Sequence, residues 1–491
     1  FFCSRVSDMQ LSQLFVRRKS LLLFTIGGLA GLLILLLIAA VLILSLNANA
    51  YKPRLEASAS QALRMDVKIA GPLGISFFPG LLLTLHDVQV RNHGVEIVSV
   101  PEARLGIEIL PLLLKQVRIE SLILNHPTIS IERETDGQFN FVTSPMPGSD
   151  TQATTLSNVS ITDGFLRYSD KKSREIFEAG NCSLLVHDMQ LTAGKTSDFM
   201  RDLSLTANLA CGEIRQSDFT VSDLKVTVKG KKGVFNLQPI TMRIYGAQGT
   251  GSFNADYSGA VVLYSIQYSL PQFQIAEFFK ALSPQKVAEG NMDFSASLTL
   301  QGSGIADMKK SMEGQVSLRG KHLTLEGHDL DKEIASFKTS QHFNLVDVGA
   351  VFLAGPFGLV ITKGYNFANL LQGSGGSSNI LTLVSDWKVD HGVAVAQDVA
   401  ISTKKNRIAL KGGLDFNNDK FDDVIIAVIN AKGCAMVQQK ISGSFEKPVV
   451  ENQGIANTLT GPVQKLLKKV RNLFPGDKCE VFYAGSVLPP K

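Results

Sequence analysis

Hydrophobic and polar residues alternate along most of this chain. Over residues 291–301, NMDFSASLTLQ, the residues Met292, Phe294, Ala296, Leu298 and Leu300 share one parity, and Asp293, Ser295, Ser297, Thr299 and Gln301 share the other. A strand built from them is apolar on one face and polar on the opposite one. The same period of two runs through LLLTLHDVQVRN, QVRIESLILN, PTISIERE, NVSITDGFLRYSD and VVLYSIQYSL, the last placing Val262, Tyr264, Ile266, Tyr268 and Leu270 together. Turn residues separate these runs, which is the pattern of a meander of antiparallel strands. If about 330 to 400 of the residues after position 50 form strands and turns of roughly 11 residues each, they make about 30 to 36 strands.

Helical spacing is the exception. Leu55, Ala59, Ala62 and Leu63 predict a short helix before the breakers Gly71 and Pro72, and Ile275, Phe278, Phe279 and Leu282 predict a short covering helix. Over 455–474, Ile455, Leu459, Val463, Leu466, Leu467, Val470 and Phe474 form an apolar stripe, with Lys465, Lys468, Lys469 and Arg471 mostly opposite. That is a basic amphipathic helix, suited to cover a core or to lie on anionic headgroups. The Gly-interrupted apolar run 346–364 is too short and too broken to span and reads as a buried hairpin, the alternative being an interfacial segment. Asp136 with Gly137 and Asp163 with Gly164 are dipeptides that close hairpins, and the Lys-rich 229–233 is a solvated hairpin tip.

The longest apolar run settles location. From Leu21 to Leu46 no residue is charged, and at about 1.5 Å per residue this helix crosses a ~30 Å hydrocarbon core with some tilt. Arg17, Arg18 and Lys19 just before it keep residues 1–20 cytoplasmic and send the remainder across, with Lys52 and Arg54 pulling weakly the other way. A cleaved signal peptide ending at Ala48, Asn49 and Ala50 is the alternative, but its apolar region is normally shorter, about 7 to 15 residues. The expected organisation is a cytoplasmic lead (1–20), an anchor (21–46), a first β region (51–141), a polar linker with Pro145 and Pro147 (142–158), a second β region (159–450), the amphipathic helix (455–474) and a tail (475–491).

Charge and chemistry change this picture little. The net charge of +5 over 491 residues is too small a basic excess for an electrostatic nucleic-acid binder. Cys3 precedes the anchor, leaving Cys182, Cys211, Cys434 and Cys479 in the exported part. Proximity pairs Cys182 with Cys211 and Cys434 with Cys479, the alternative being four separate buried thiols. The eight His form no HExxH, HxH or Cys-His cluster, Gly373–Ser378 lacks the setting of a nucleophile elbow, and Gly314–Lys321 has the wrong spacing for a P-loop. No catalytic, cofactor-binding or metal residues are proposed, and the chain reads as non-enzymatic.

The apolar faces then need a partner. The predicted helices are too few to cover them, so the strands either close into dry sandwiches or form one long twisted sheet whose apolar groove is open to apolar ligands. Acyl chain buried there gains about 0.8 kcal/mol per CH₂, so a lipid needs little polar recognition. Candidate groove residues are Val262, Tyr264, Ile266, Tyr268, Met292, Phe294, Leu298 and Leu300.

Residues 51–141, with YKPRLEASASQAL, GISFFPGLLLTLHDVQVRN and ARLGIEILPLLLKQVRIESLILNHPTISIERETDGQFNF, resemble the N-terminal region of the AsmA family of Gram-negative envelope proteins. SMEGQVSLRGKHLTLEGHDL and ISGSFEKPVVE resemble Gly-punctuated strand motifs nearer the C-terminal end of such proteins. The resemblance implies a single-pass inner-membrane protein with a periplasmic β-groove of the bridge-like lipid-transfer kind. It further implies phospholipid as cargo and a role in outer-membrane biogenesis. The alternative is a scaffold affecting outer-membrane protein assembly or targeting, with other envelope proteins as partners. The family lends no catalytic residues.

Overall fold

The computed structural model describes residues 28–29, 31–38, 48–76, 80–108, 118–141, 157–191, 199–216, 219–280, 287–340, 375–451 and 480–490. It divides into two compact units, one of residues 1–165 and 170–172 and the other of residues 166–169 and 173–491. Both are mainly β with few short helices. Most of the expected linker, the 346–364 hairpin, the amphipathic helix 455–474 and most of the expected membrane span lie outside the described residues. Among the described residues no helix is long and apolar enough to cross a membrane. Residues 28–29 and 31–38 are helical.

In the first unit, helix α1 (Lys52–Leu63) starts where Pro53, which lacks a backbone N–H, fits the first turn, and stops where Arg64 turns left-handed at φ 54°. Leu55 and Ala59 pack on a core of Val67, Ile69, Leu73, Leu83, Leu85, Val88, Val100 and Ala103. The helix is also stitched down by polar contacts. Ile69 N donates to Glu56 Oε1 at 2.7 Å, and Val67 N to Ser60 Oγ at 2.9 Å. Strands β1 (Asp66–Ile69) and β2 (Leu73–Ser76) both pair with β3 (Leu81–Asn92), which pairs with β4 (Val95–Ile107). β4 continues to β5 (Ile119–Asn125) and β6 (Thr128–Arg133), and β5 runs parallel to the start of β7 (Asn158–Asp170).

The two Asp-Gly dipeptides part company here. Gly137, at φ 87°, closes the expected turn, its N–H donating to Glu134 O at 2.9 Å. Asp163 and Gly164 do not form a hairpin and instead lie inside β7, with Asp163 at φ 51° and the chain continuing as Phe165 N donates to Pro127 O at 2.8 Å. The left-handed conformation that Asp tolerates serves a bulge within a strand as well as a turn between two.

The second unit is a meander in which nearly every strand pairs with the next. β8 (Glu175–Leu191), β9 (Leu203–Gln216), β10 (Phe219–Lys231), β11 (Val234–Ile244), β12 (Ala247–Asp256) and β13 (Leu263–Gln274) are consecutive antiparallel neighbours. After helix α2 (Ile275–Lys280) and the two-residue β14 (Ala288–Glu289), β15 (Asn291–Gln301) takes the place beside β13. Helix α3 (Ile305–Ser311) leads into β16 (Glu313–Glu326), which pairs with β15 and also with β14. Beyond helix α4 (Leu330–Ser340) the order continues through β17 (Ser377–Asp390), β18 (Val393–Ser402), β19 (Arg407–Asp415), β20 (Lys420–Ile429), β21 (Ala435–Gly443) and β22 (Pro448–Glu451). The Lys-rich tip is a tight turn, Lys232 at φ 47° and Gly233 at φ 82°.

Two corrections to the sequence reading arise in this unit. Strands here run as long as the 17 residues of β8, so strand and turn together take more than the roughly 11 residues expected, and the described residues of the whole chain form 22 strands. One-sided amphipathicity also fails near the C-terminal end. In β20, Val424, Ile426, Ala427, Val428 and Ile429 are all buried, both parities together. One face of β16–β21 belongs to a large core with Leu323, Leu330, Ile334, Leu383, Trp387 and Ile426, and α2 and α4 contribute to it. The other face, through Val384, Ala400, Ala409, Ala427 and Ile429, is covered by Tyr483 and Val487 of the terminal strap, residues 480–490.

The strap is held by polar groups as well as by packing. Arg407, 5% exposed, donates to Val487 O at 2.7 Å and to Asn430 O at 2.9 Å, and its guanidinium lies 5.4 Å from the Tyr483 ring centre. Tyr483 Oη donates to Asp398, and Ser486 N donates to Asp398 Oδ2 at 2.9 Å. Burial raises the Asp398 pKa, but hydrogen bonds from Ser486 and Tyr483, with the Arg319 charge, outweigh it and leave it below the ordinary carboxylate value. A carboxyl depressed in the folded state stabilises it above the unfolded pKa and loses that contribution as pH falls through the folded one. The strap is therefore expected to resist protease from pH 7 down to the unfolded Asp value of ~3.9 and to become progressively cleavable as pH falls below it, through the lower folded value. Asp398→Asn should expose it already at pH 7, and equal protection of both proteins at every pH would contradict the assignment.

Candidate functional site

The cross-strand register assembles apolar side chains into continuous rows, since directly paired residues share a face. One row runs Val186, Ala207, Val228, Leu237, Phe253, Ile266, Leu298 through β8–β13 and β15. A second runs Leu184, Leu209, Val226, Ile240, Gly251, Tyr268, Ala296 through the same strands. A third, Leu205, Gly230, Phe235, Ala255, Tyr264, Leu300, begins at β9. Seven strands at ~4.8 Å spacing and three rows about 7 Å apart give a face of roughly 29 by 14 Å. That is on the order of 400 Å², the size at which an apolar surface patch is commonly functional.

Accessibility separates this stretch from its continuation. Tyr264, Ile266, Tyr268, Phe294, Ala296, Leu298 and Leu300 are half-buried, while Asp293, Ser295, Ser297 and Thr299 on the opposite parity of β15 are exposed. The first row continues through Gly314 to Val389, Ala394 and Leu414, which are 1%, 0% and 2% exposed. At Gly314, with φ 138°, a Cβ would run into the Ser297 carbonyl oxygen, so the row has no side chain where β15 and β16 meet. The second row runs through Val316 to Trp387, 1% exposed, whose Nε1 donates to Ser385 Oγ at 2.8 Å. Over β8–β15 the rows are mixed, with Val186, Ala207, Val226, Phe235 and Ala255 buried and Leu237, Ile240, Phe253, Ile266 and Leu298 half-buried, whereas from β16 onward they are filled with packed side chains.

The expected groove residues fall on both sides of that divide. Tyr264, Ile266 and Tyr268 on β13 sit directly opposite Leu300, Leu298 and Ala296 on β15, and Phe294 faces Leu270. Val262 precedes β13, its carbonyl accepting from Gly302 N at 3.0 Å. Met292 differs from the others. It is 1% exposed, opposite Phe273 and packed in the closed core, and so presents no surface to a ligand. Alternation places Met292 on the correct face, but a parity says nothing about what stands above it.

Aromatic rings pave the accessible stretch. Phe253 stacks on Tyr264 with centres 6.0 Å apart, Tyr257 meets Tyr264 edge-on at 6.3 Å, and Tyr268 lies 6.5 Å from Phe294. Among the described residues the buried Tyr268 hydroxyl has no hydrogen-bond partner, and burial pushes its pKa up to about 12. Tyr264 is likewise raised, chiefly by burial. These phenols stay neutral at physiological pH, leaving the paved face uncharged.

A disulfide joins Cys182 and Cys211, directly opposed on β8 and β9 with Cα atoms 4.1 Å apart. Cys434 is also disulfide-bonded, and Cys479 lies outside the described residues. The Cys182–Cys211 bond closes a loop with a sequence separation of 29, worth about 3 to 4 kcal/mol in the chain-entropy view. The double variant Cys182→Ser/Cys211→Ser is expected to lower stability by about that amount. Urea unfolding followed on the β-sheet signal would measure it, and an unchanged midpoint would show that the bond constrains little.

One group of potential metal ligands was not signalled by sequence spacing. Glu313, Asp390 and His391 lie within 4.8 Å of one another, all exposed, with His391 Nδ1 2.5 Å from Asp390 Oδ1. That hydrogen bond, with the nearby Asp390 and Glu313 charges, raises the His391 pKa. Asp390 and His391 are neighbours in the β17–β18 turn, and the distant Glu313 joins them at the start of β16. Exposed acidic groups of this kind are common without an ion, and no role is assigned to them.

The fold and this face define a class: a β-meander protein with a broad, partly buried apolar face that ends against a packed core. The AsmA family model matches residues 19–196 and 155–362, most of the chain, and the chain belongs to the AsmA family. That family is associated with the cell envelope, suggests a role in outer-membrane biogenesis, and is not a known enzyme family. No curated protein and no solved structure matches.

Proposed function

We propose that this protein is a membrane-tethered carrier that holds the acyl chains of phospholipid on the apolar face of β8–β15, acting in outer-membrane biogenesis without catalysing a reaction. The observation that carries the reading is the three-row apolar register, in which Val228, Leu237, Ile240, Phe253, Ile266 and Leu298 stay half-buried. A soluble protein would ordinarily cover a face of this size. At ~29 Å the open stretch is about as long as a bilayer core is thick, so extended acyl chains fit along it. Tethering is supported by residues 32–38, Leu32 through Ile38, each of which is apolar and more than half exposed on every side of the helix. A helix that is apolar all round belongs in hydrocarbon. The side of the membrane follows from Arg17, Arg18 and Lys19, which favour a cytoplasmic N-terminus at an inner membrane and a periplasmic remainder.

The closed core of β16–β21 favours a second reading for that part of the chain. A dry, two-sided sheet is what an assembly scaffold for outer-membrane proteins needs, and it would present its edges rather than its faces. Native mass spectrometry of the full chain, extracted in mild detergent, separates the readings. The carrier reading expects phospholipid retained in stoichiometric amounts. A lipid-free protein that instead captures an unfolded outer-membrane β-barrel would favour the scaffold.

A further inference from the structure

Beside the apolar face, at the strand ends where β10, β11 and α2 meet, lies a cavity of about 450 Å³ with two unlike walls. One wall is apolar, made by Ile244 and Tyr245. The Tyr245 ring sits 5.8 Å from Phe219, 6.1 Å from Phe273 and 5.4 Å from Phe278, so this wall continues into the core that ends the apolar face. Burial pushes the Tyr245 pKa up to about 12, which keeps the wall uncharged. The other wall is polar. Arg243 and Lys280 bring two cations, with Thr220 and Ser222 as neutral hydroxyls.

Both cations have existing partners, and both partnerships are weak. Arg243 Nε is 3.3 Å from Asp223 Oδ2, with the two side chains 54% and 67% exposed. Lys280 Nζ is 3.7 Å from Glu277 Oε2, with side chains 76% and 46% exposed. Exposed pairs of this kind contribute little and exchange readily for a better anion. Glu277 is the carboxylate on the cavity lining and opposes an incoming negative group. A phosphate offers more acceptor oxygens than a carboxylate, and a guanidinium fork engages it through paired donors.

We propose that this cavity binds a phosphate group, with Arg243 and Lys280 as the recognising cations, and that the phosphate is the headgroup of a lipid whose acyl chains lie on the neighbouring apolar face. This rests on the carrier reading for the acyl chains, while the phosphate site itself stands on the cavity. A diacylglycerol with the same acyl chains lacks the group that the polar wall would hold. The face alone would take both lipids equally, and the cavity adds the preference for phosphate.

The test uses the full chain in detergent, with phosphatidylglycerol, matched diacylglycerol and inorganic phosphate as separate probes. The unaltered protein is expected to retain phosphatidylglycerol over diacylglycerol by about tenfold or more, the scale of losing charge-assisted hydrogen bonds. Arg243→Gln/Lys280→Gln should retain diacylglycerol undiminished and lose that preference. Glu277→Gln should strengthen it, an opposite change that a general loss of fold cannot produce. Inorganic phosphate should compete with phosphatidylglycerol and leave diacylglycerol in place. An equal preference in the double variant and the unaltered protein would overturn the site. Cation-dependent binding of inorganic phosphate with no preference between the lipids would overturn the headgroup assignment. A protein that binds neither lipid yet still binds phosphate through these cations would sink the carrier reading while leaving a phosphate site.

Discussion

Leu298→Asp is expected to abolish lipid retention while leaving the protein folded. Leu298 lies at the end of the first apolar row, between Ile266 on β13 and Gly314 on β16, and it is half-buried. In the lipid-free protein a carboxylate there still reaches water, so folding loses little beyond part of a buried side chain, about 1 to 2 kcal/mol. Once an acyl chain covers the row, the charge must lose its hydration without gaining a partner, at a cost of several kcal/mol. That corresponds to a fall in occupancy of 100-fold or more. The control is built into the strand. Ser297→Asp adds the same charge one residue away on the exposed parity, beside Gln267 and Gln315, and should leave lipid retention unchanged. If both variants lose lipid equally, the charge acts through the fold and not through the face.

The second large effect is expected in stability. Arg407→Met removes a buried guanidinium that serves Val487 O, Asn430 O and the Tyr483 ring. Met fills much of the volume but donates nothing, so two carbonyls lose their partners at about 1 to 3 kcal/mol each. With the lost ring contact, a total of about 3 to 5 kcal/mol is expected. The strap should detach first, because its remaining polar tie to the sheet is through Asp398 and through the Gly433 carbonyl that accepts from Phe482 and Tyr483. Urea unfolding and limited proteolysis together measure this. An unchanged midpoint with residues 480–490 still protected would mean that apolar packing by Val487 and Tyr483 suffices.

These two sites differ in how far they could be read from the chain. The alternation at 291–301 reports its two faces faithfully because a strand's period of two is local, and the observed accessibility follows it residue by residue. The helices at 52–63 and 275–280 were legible for the same reason. What alternation cannot report is whether the apolar face is covered, and Met292 and Leu298, six residues apart on one strand, have opposite fates. The two-sided burial of β17–β20 left a trace in VIIAVI at 424–429, an apolar run without alternation, which the one-sided reading passed over. The Asp163 position was ambiguous because the same dipeptide serves a turn and a left-handed residue inside a strand.

The strap and the cavity were beyond local pattern altogether. Arg407 finds its acceptors 23 and 80 residues away, and only the completed fold brings them within reach. Arg243 and Lys280 likewise come from different elements, a strand and the helix after a later one. No spacing rule covers such pairs, since each depends on where the meander ends its strands. Residues that lie far apart in sequence and carry ordinary polar side chains acquire a role only through register.

Parity-resolved photocrosslinking in living cells tests the central claim most directly. A photoreactive phenylalanine analogue is placed singly at Phe294, Ser295, Ala296, Ser297, Leu298 and Thr299 of the full chain, and lipid adducts are counted by mass spectrometry. Phospholipid adducts are expected at positions 294, 296 and 298 and absent at 295, 297 and 299. Adducts spread evenly over both parities, or none at any position in a correctly folded protein, would contradict the account.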